Sequence, residues 1–369
     1  LDQAPEQVAL PVEAGALIDA IGEDEPDAFA RWEQLSAALE AYREATRLGF
    51  DGRTMSVDLT DLLQLMRTGL ERGIEKAHTF MQDVPPTYFT FEVTDYDLTG
   101  TSDAHGNPHI RVNGFKPTAL PPFLEGPVRL MKLLDLEKAR DLARSIKHSA
   151  LYDAKLGMVK VNAPLDAQSH AIGRARAFTP GWLENESIWL HMSFKYLLEL
   201  LKAGLYEEYF EALRAHLPAF MDPHVYGRSP LENSSFIVSS AHPDPTLHGN
   251  GFVARLSGST AEFLSMWVLM TAGLKPFLVE QGGVVLALKP ILPGWLFNAD
   301  GRFSFRFLGA CNVTLHNPLC RDTFAEGCDI QKIELHTGDE TFRIEGGVIG
   351  APYAERVRQG EIDSIDLFY

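Results

Sequence analysis

Apolar positions along the chain follow two periods, helical in the first three quarters and alternating in the last. From Asp27 to Leu48, Phe29, Trp32, Leu35, Leu39 and Tyr42 recur at helical spacing with charged residues between them, which predicts an amphipathic helix. A second helix is predicted over Asp58–Met81, with Leu59, Leu62, Leu63, Leu65, Met66 and Leu70 on its apolar face and Asp58 as its cap. Thr87 to Tyr96 instead alternates and is rich in β-favouring residues. The Asp-Ala-His-Gly-Asn-Pro run that follows is turn chemistry, so a hairpin is expected between helices. Helical spacing returns at Pro122–Leu134, Leu136–His148, Ser187–Ala203, Tyr206–His216 and Thr260–Thr271. The intervening stretches Asn162–Pro180 and Asp222–Ser257 are long and polar, and long loops on a helical scaffold are where function concentrates.

After Pro276 the period changes. Val284–Ile291, Phe303–Leu308, Asn312–Leu315, Ile330–Leu335, Thr341–Ile344 and Ile362–Phe368 are short, β-branched or aromatic, and separated by turn residues. The fold class expected is therefore mainly α then β: a helical portion over residues 1–276 and a small antiparallel β-sandwich domain over residues 277–369.

Composition narrows the partners. The chain has 369 residues, 45% of them hydrophobic, which suffices for a sizeable core. Its net charge of −17 repels phosphate backbones and anionic lipid headgroups, so neither nucleic acid nor membrane is expected as a partner. Cys311, Cys320 and Cys328 lack CxxC spacing and read as reduced, with no metal site. No apolar run approaches the roughly 20 residues that cross a bilayer. A cytoplasmic protein is the plain expectation.

One segment gathers chemistry. Between Arg176 and His191, a Pro-Gly turn, Trp182, Glu184, Asn185 and Glu186 precede a helix. Aromatic faces take the C–H surface of a pyranose, and carboxylates and amides take its hydroxyls. His191, among Trp189, Leu190 and Met192, reads either as a satisfied core histidine or as a ligand-binding one. Ser257 and Gly258, before an apolar helix, read either as an ordinary cap or as an oxyanion seat.

The run Phe-Thr-Pro-Gly, then Glu184-Asn185, then His191 resembles the Pro-Gly…Glu-Asn-Gly-Gly…His signature of cellobiose and chitobiose phosphorylases. Leu-Ser-Gly-Ser-Thr at 256–260 resembles their Leu-Thr-Gly-Thr loop, and Glu232 with the Ala-His-Pro-Asp-Pro stretch is similar to the acidic residue and loop before it. The resemblance is clearest from about Asn162 to Pro318. It implies an (α/α)-barrel, here partial by helix count, with a trailing β-domain. It also implies that His191, Ser257 and Gly258 bind inorganic phosphate, a co-substrate rather than a cofactor, and that Glu184 contacts sugar. Trp182, Asn185, Glu186 and Glu232 join the expected substrate wall.

Two departures stand out. The family's Gly-Gly is Glu186-Ser187 here, and the loop threonine is Ser257. A carboxylate at 186 would oppose phosphate by Coulomb repulsion unless it points elsewhere. The family's Asp-Trp-Asn-Asp acid motif is absent. Glu13 and Asp19, upstream, are the candidate catalytic acids, with a surface role for both equally open. The expected activity is an inverting phosphorolysis of β-linked gluco-oligosaccharides. An inverting hydrolase on the same scaffold and an inactive carbohydrate-binding fragment are the alternatives, and the missing part of the same enzyme or a second copy is the expected protein partner.

Overall fold

A computed structural model describes residues 6–23, 25, 28–79, 83–253, 259–280 and 282–369. The chain divides into two units, one of Leu1–Gln82 with Phe89–Ala119, the other of Asp83–Tyr88 with Leu120–Tyr369.

The first unit comprises β1 (Gln7–Pro11), α1 (Gly15–Gly22), α2 (Ala28–Thr46), β2 (Thr54–Asp58), α3 (Leu59–His78), β3 (Phe89–Ser102) and β4 (Pro108–Ala119). The expected cap of α3 is present: Asp58 Oδ1 accepts from the backbone N–H groups of Thr60 (2.8 Å) and Asp61 (3.2 Å), two donors the first helical turn cannot satisfy itself. The expected hairpin is β3–β4. Its turn is held by Asp103, whose carboxylate accepts from His105 N, Asn107 N and Asn107 Nδ2. Strand β1 pairs antiparallel with β2, an association of residues more than forty apart that no local pattern announced.

The second unit contains α4 (Glu125–Met131), α5 (Leu136–Lys147), the two-residue strands β5 (Tyr152–Asp153) and β6 (Met158–Val159), α6 (Arg174–Ala177), β7 (Ile188–Trp189) and α7 (Leu190–Lys202). There follow α8 (Tyr206–His216), α9 (Pro223–Tyr226), β8 (Phe236–Ile237), β9 (Gly251–Phe252), α10 (Ser259–Ala272), β10 (Phe277–Glu280) and β11 (Gly283–Leu286). The last elements are β12 (Arg302–Phe307), β13 (Cys311–His316), β14 (Lys332–Thr337), β15 (Glu340–Glu345), α11 (Tyr353–Gln359) and β16 (Ser364–Phe368). Helix α7 is central, packed by α4, α8 and α10. Leu190 and Leu197 on it are wholly buried, each worth about 1.5–3 kcal/mol of transfer free energy. Among the described residues no helix is long and apolar enough to cross a membrane. The three cysteines are unpaired.

Two expectations need correction. The helix expected from Ser187 begins at Leu190, because Ile188 and Trp189 pair with Ile237 and Phe236 of β8, and that non-local ladder takes their backbone groups first. The C-terminal strands are not all antiparallel. They form one five-stranded sheet in the order β12-β13-β16-β14-β15, with β16 parallel to β13 and antiparallel to β14. Its inner residues, among them Val313, Leu315, Ile333, Leu335, Ile365 and Leu367, share a continuous core with α7 and α8.

Candidate functional site

The segment from Phe178 to Ser187 folds as a tight loop that leads into β7 of the three-stranded sheet β7-β8-β9. Gly181 has φ 79°, and a Cβ there would meet the backbone of His242 at 2.5 Å, so this turn requires glycine. Trp182, half-buried, packs edge-on against Phe236 (5.2 Å) and Phe252 (4.8 Å). Asn185 is fully buried; its Nδ2 donates to Phe178 O at 2.8 Å, while its Oδ1 has no hydrogen-bond partner. Glu184 accepts two bonds from Arg174, at 2.6 and 2.8 Å, in an exposed bidentate pair.

Glu186 has φ 55°, a left-handed conformation that costs a residue with a side chain on the order of 1 kcal/mol and glycine almost nothing. What holds it is visible. Its N–H donates to Asn162 Oδ1 (2.5 Å), Asn162 Nδ2 donates to Glu184 O (2.9 Å), and its carboxylate accepts from Lys160 Nζ at 2.6 Å. Lys160 and Glu186 are both more than nine-tenths buried. The carboxylate expected to repel an anion is thus neutralised by a lysine from another element and turned into the protein. Glu186 is only 5% exposed.

Beyond this loop, Trp189 donates its indole N–H to Leu183 O (2.6 Å), stacks on Phe236 and sets its ring edge-to-face with His191 at 5.4 Å. His191 Nδ1 is buried with no hydrogen-bond partner. Burial holds the imidazole below the ordinary histidine range, the neighbouring Lys195 ammonium depresses it further, and Glu262 and Glu125 oppose both. His191 is therefore a neutral ring at neutral pH. Glu125, by contrast, is committed: Arg129 and Tyr88 both donate to it and hold its carboxyl below the usual range. Glu262, in the first turn of α10, keeps one buried oxygen, Oε2, without a partner.

Trp182 and His191 are linked through the rings of Phe236 and Trp189, whereas Glu184 is engaged by Arg174, Asn185 by Phe178 O and Glu186 by Lys160. Glu232 is exposed, 3.5 Å from Arg228, and its carbonyl accepts from Tyr226 Oη. Ser257 and Gly258 lie outside the described residues. Glu13 and Asp19 belong to the first unit: Glu13 Oε1 accepts from Asp51 N (3.0 Å) while its Oε2 is buried without a partner, and Asp19 is exposed on α1. Lys160 and Glu262 carry no motif that marks them in the sequence; Trp189 and Lys195 are signalled only by lying two residues before and four residues after His191.

A separate cleft of about 200 Å³ between α5 and α8 is rimmed by charges that pair across it, Arg140 with Glu208 (3.5 Å) and Lys147 with Glu211 (2.7 Å). Its His216 is neutral and saturated, Nε2 accepting from Val159 N and Nδ1 donating to Ala212 O. This cleft has the chemistry of a helix–helix seam. No protein-family model and no curated protein matches the chain.

Proposed function

We propose that the second unit carries the phosphate and sugar wall of an inverting glycoside phosphorylase acting on β-linked gluco-oligosaccharides, with the helices of the chain belonging to an (α/α)-barrel. The observation that carries this reading is the backbone of Glu186. The position where the resembled motif has its first glycine is left-handed, φ 55°, in a loop otherwise built from that motif's Pro-Gly turn, Glu-Asn pair and downstream histidine. A loop whose conformation suits glycine at that point supports the motif being the same loop. The buried Lys160 pair adds support, because it removes the charge that would have favoured water over phosphate as the nucleophile.

In this reading His191 donates to a phosphate oxygen, Glu184 and Trp182 line the sugar, and Asn185 holds the loop. The general acid protonates the glycosidic oxygen as phosphate attacks C1 from the opposite face, so the C–O bond breaks, a C1–O–P bond forms, and the configuration inverts. The hydrolase alternative has water as the nucleophile and needs a second carboxylate to take its proton.

The test is phosphate dependence. Cello-oligosaccharide cleavage should release glucose 1-phosphate in phosphate buffer and stop in a phosphate-free one. His191→Ala should cut phosphate-dependent turnover by about 10²-fold or more while leaving oligosaccharide affinity within about twofold. Cleavage that proceeds equally without phosphate would establish the hydrolase instead.

A further inference from the structure

Helix α7 opens to solvent along a single stripe. From Leu190 through Leu201 every residue is buried except His191 and Lys195, which stand one turn apart on the same face. The other lysines near this helix are committed: Lys160 to Glu186, and Lys132 and Lys202 both to Glu199. Lys195 has no ion-pair or hydrogen-bond partner among the described residues. Glu125, whose carboxyl the Lys195 charge also lowers, is hydrogen-bonded by Arg129 and Tyr88 rather than by Lys195. Glu262, the other carboxylate acting on His191, carries a buried oxygen that is likewise unpaired.

An oxyanion brought to this stripe needs a positive charge, and His191 cannot supply it. Its ring is kept neutral by burial and by Lys195 itself, so it can donate one N–H but offers no net attraction. Glu262 increases the demand for a cation. Among the described residues whose charges act on His191, Lys195 is the one cation.

We propose that Lys195 is the cation of the phosphate seat, contacting the same phosphate oxyanion that His191 hydrogen-bonds. The assignment rests on the phosphorylase reading of this face and adds to it a residue that the resembled motif does not contain. An ammonium on a four-carbon stem suits the task. It is a compact point charge that follows phosphate as it passes from free anion to the ester of the sugar product.

Titration calorimetry of the full chain with inorganic phosphate, and separately with a cello-oligosaccharide, tests the assignment. Lys195→Gln should weaken phosphate by about tenfold or more, as loss of a charge-assisted hydrogen bond does, and Lys195→Arg should stay within about threefold of the parent. Oligosaccharide affinity should be the same in all three. Phosphate binding by Lys195→Gln equal to that of the parent would overturn the role of Lys195 and leave the phosphorylase reading intact. A parent chain that binds oligosaccharide but no phosphate would overturn both. Lysine acetylation of the unsubstituted protein provides a measurement free of folding effects: phosphate should protect Lys195 and not Lys132, and equal labelling of Lys195 with and without phosphate would count against the seat.

Discussion

Replacing Lys160 by methionine keeps the aliphatic stem and removes the ammonium, which strands the Glu186 carboxylate in a site more than nine-tenths buried. Among the described residues no other donor reaches that carboxylate. The 2.6 Å bond to Lys160 Nζ is its ion pair, and the Asn162 bond is to the Glu186 backbone. Breaking a buried pair by deleting one partner costs about 3–5 kcal/mol, because the orphaned charge has neither water nor a counter-ion. The left-handed backbone at 186 lowers the loop's tolerance further. In a Glu186→Gln background the same Lys160→Met change should cost about 2 kcal/mol less, since the glutamine leaves only a neutral amide unpaired. Urea unfolding at pH 7, followed by tryptophan fluorescence, measures both; Trp182, Trp189, Trp267 and Trp295 all report on the second unit. A loss under about 1 kcal/mol for Lys160→Met, or an equal loss in the two backgrounds, would refute the claim that this pair neutralises Glu186.

Three further outcomes follow from the geometry. Burial pushes His216 down to about 4, so its contribution to stability is complete above the unfolded-state value near 6.5 and is lost as pH falls toward 4. Wild type should lose about 2 kcal/mol between pH 7 and pH 5 from this group, a slope absent in His216→Gln; parallel slopes in urea titrations would contradict it. Gly251→Ala should fold poorly, because its Cβ would collide with Ser234 Oγ and the Tyr226 ring, whose hydroxyl anchors the Glu232 and Ser234 segment. An alanine variant with unchanged melting temperature would show that this packing yields easily. Arg174→Ala should change stability by less than about 1 kcal/mol, since its pair with Glu184 is exposed on the arginine side; a larger loss in thermal unfolding would mean the pair braces the loop.

What the sequence disclosed was local. Asp58 as a cap and the Asp103 turn depend on residues within a few positions of one another, and both stand in the structure as expected; the C-terminal strands are present, but β16 runs parallel to β13. What it withheld was pairing at a distance. Ile188 and Trp189 look helical until β8, nearly fifty residues later, claims their backbone. The fate of Glu186 turned on Lys160 and Asn162, whose side chains carry no pattern linking them to position 186. Ser257 and Gly258, two of the expected phosphate ligands, fall outside the described residues.

Strand β16 lies at the centre of its sheet, between β13 and β14. During synthesis the β12–β13 and β14–β15 hairpins leave the ribosome first, each with a bare edge of unpaired N–H and C=O groups. Only when Ser364–Phe368 has emerged can the two hairpins be stitched into one surface. A nascent or proteolysed chain lacking that strand holds two adhesive edges instead of none between them, and is the form in which this protein should be most dependent on chaperones.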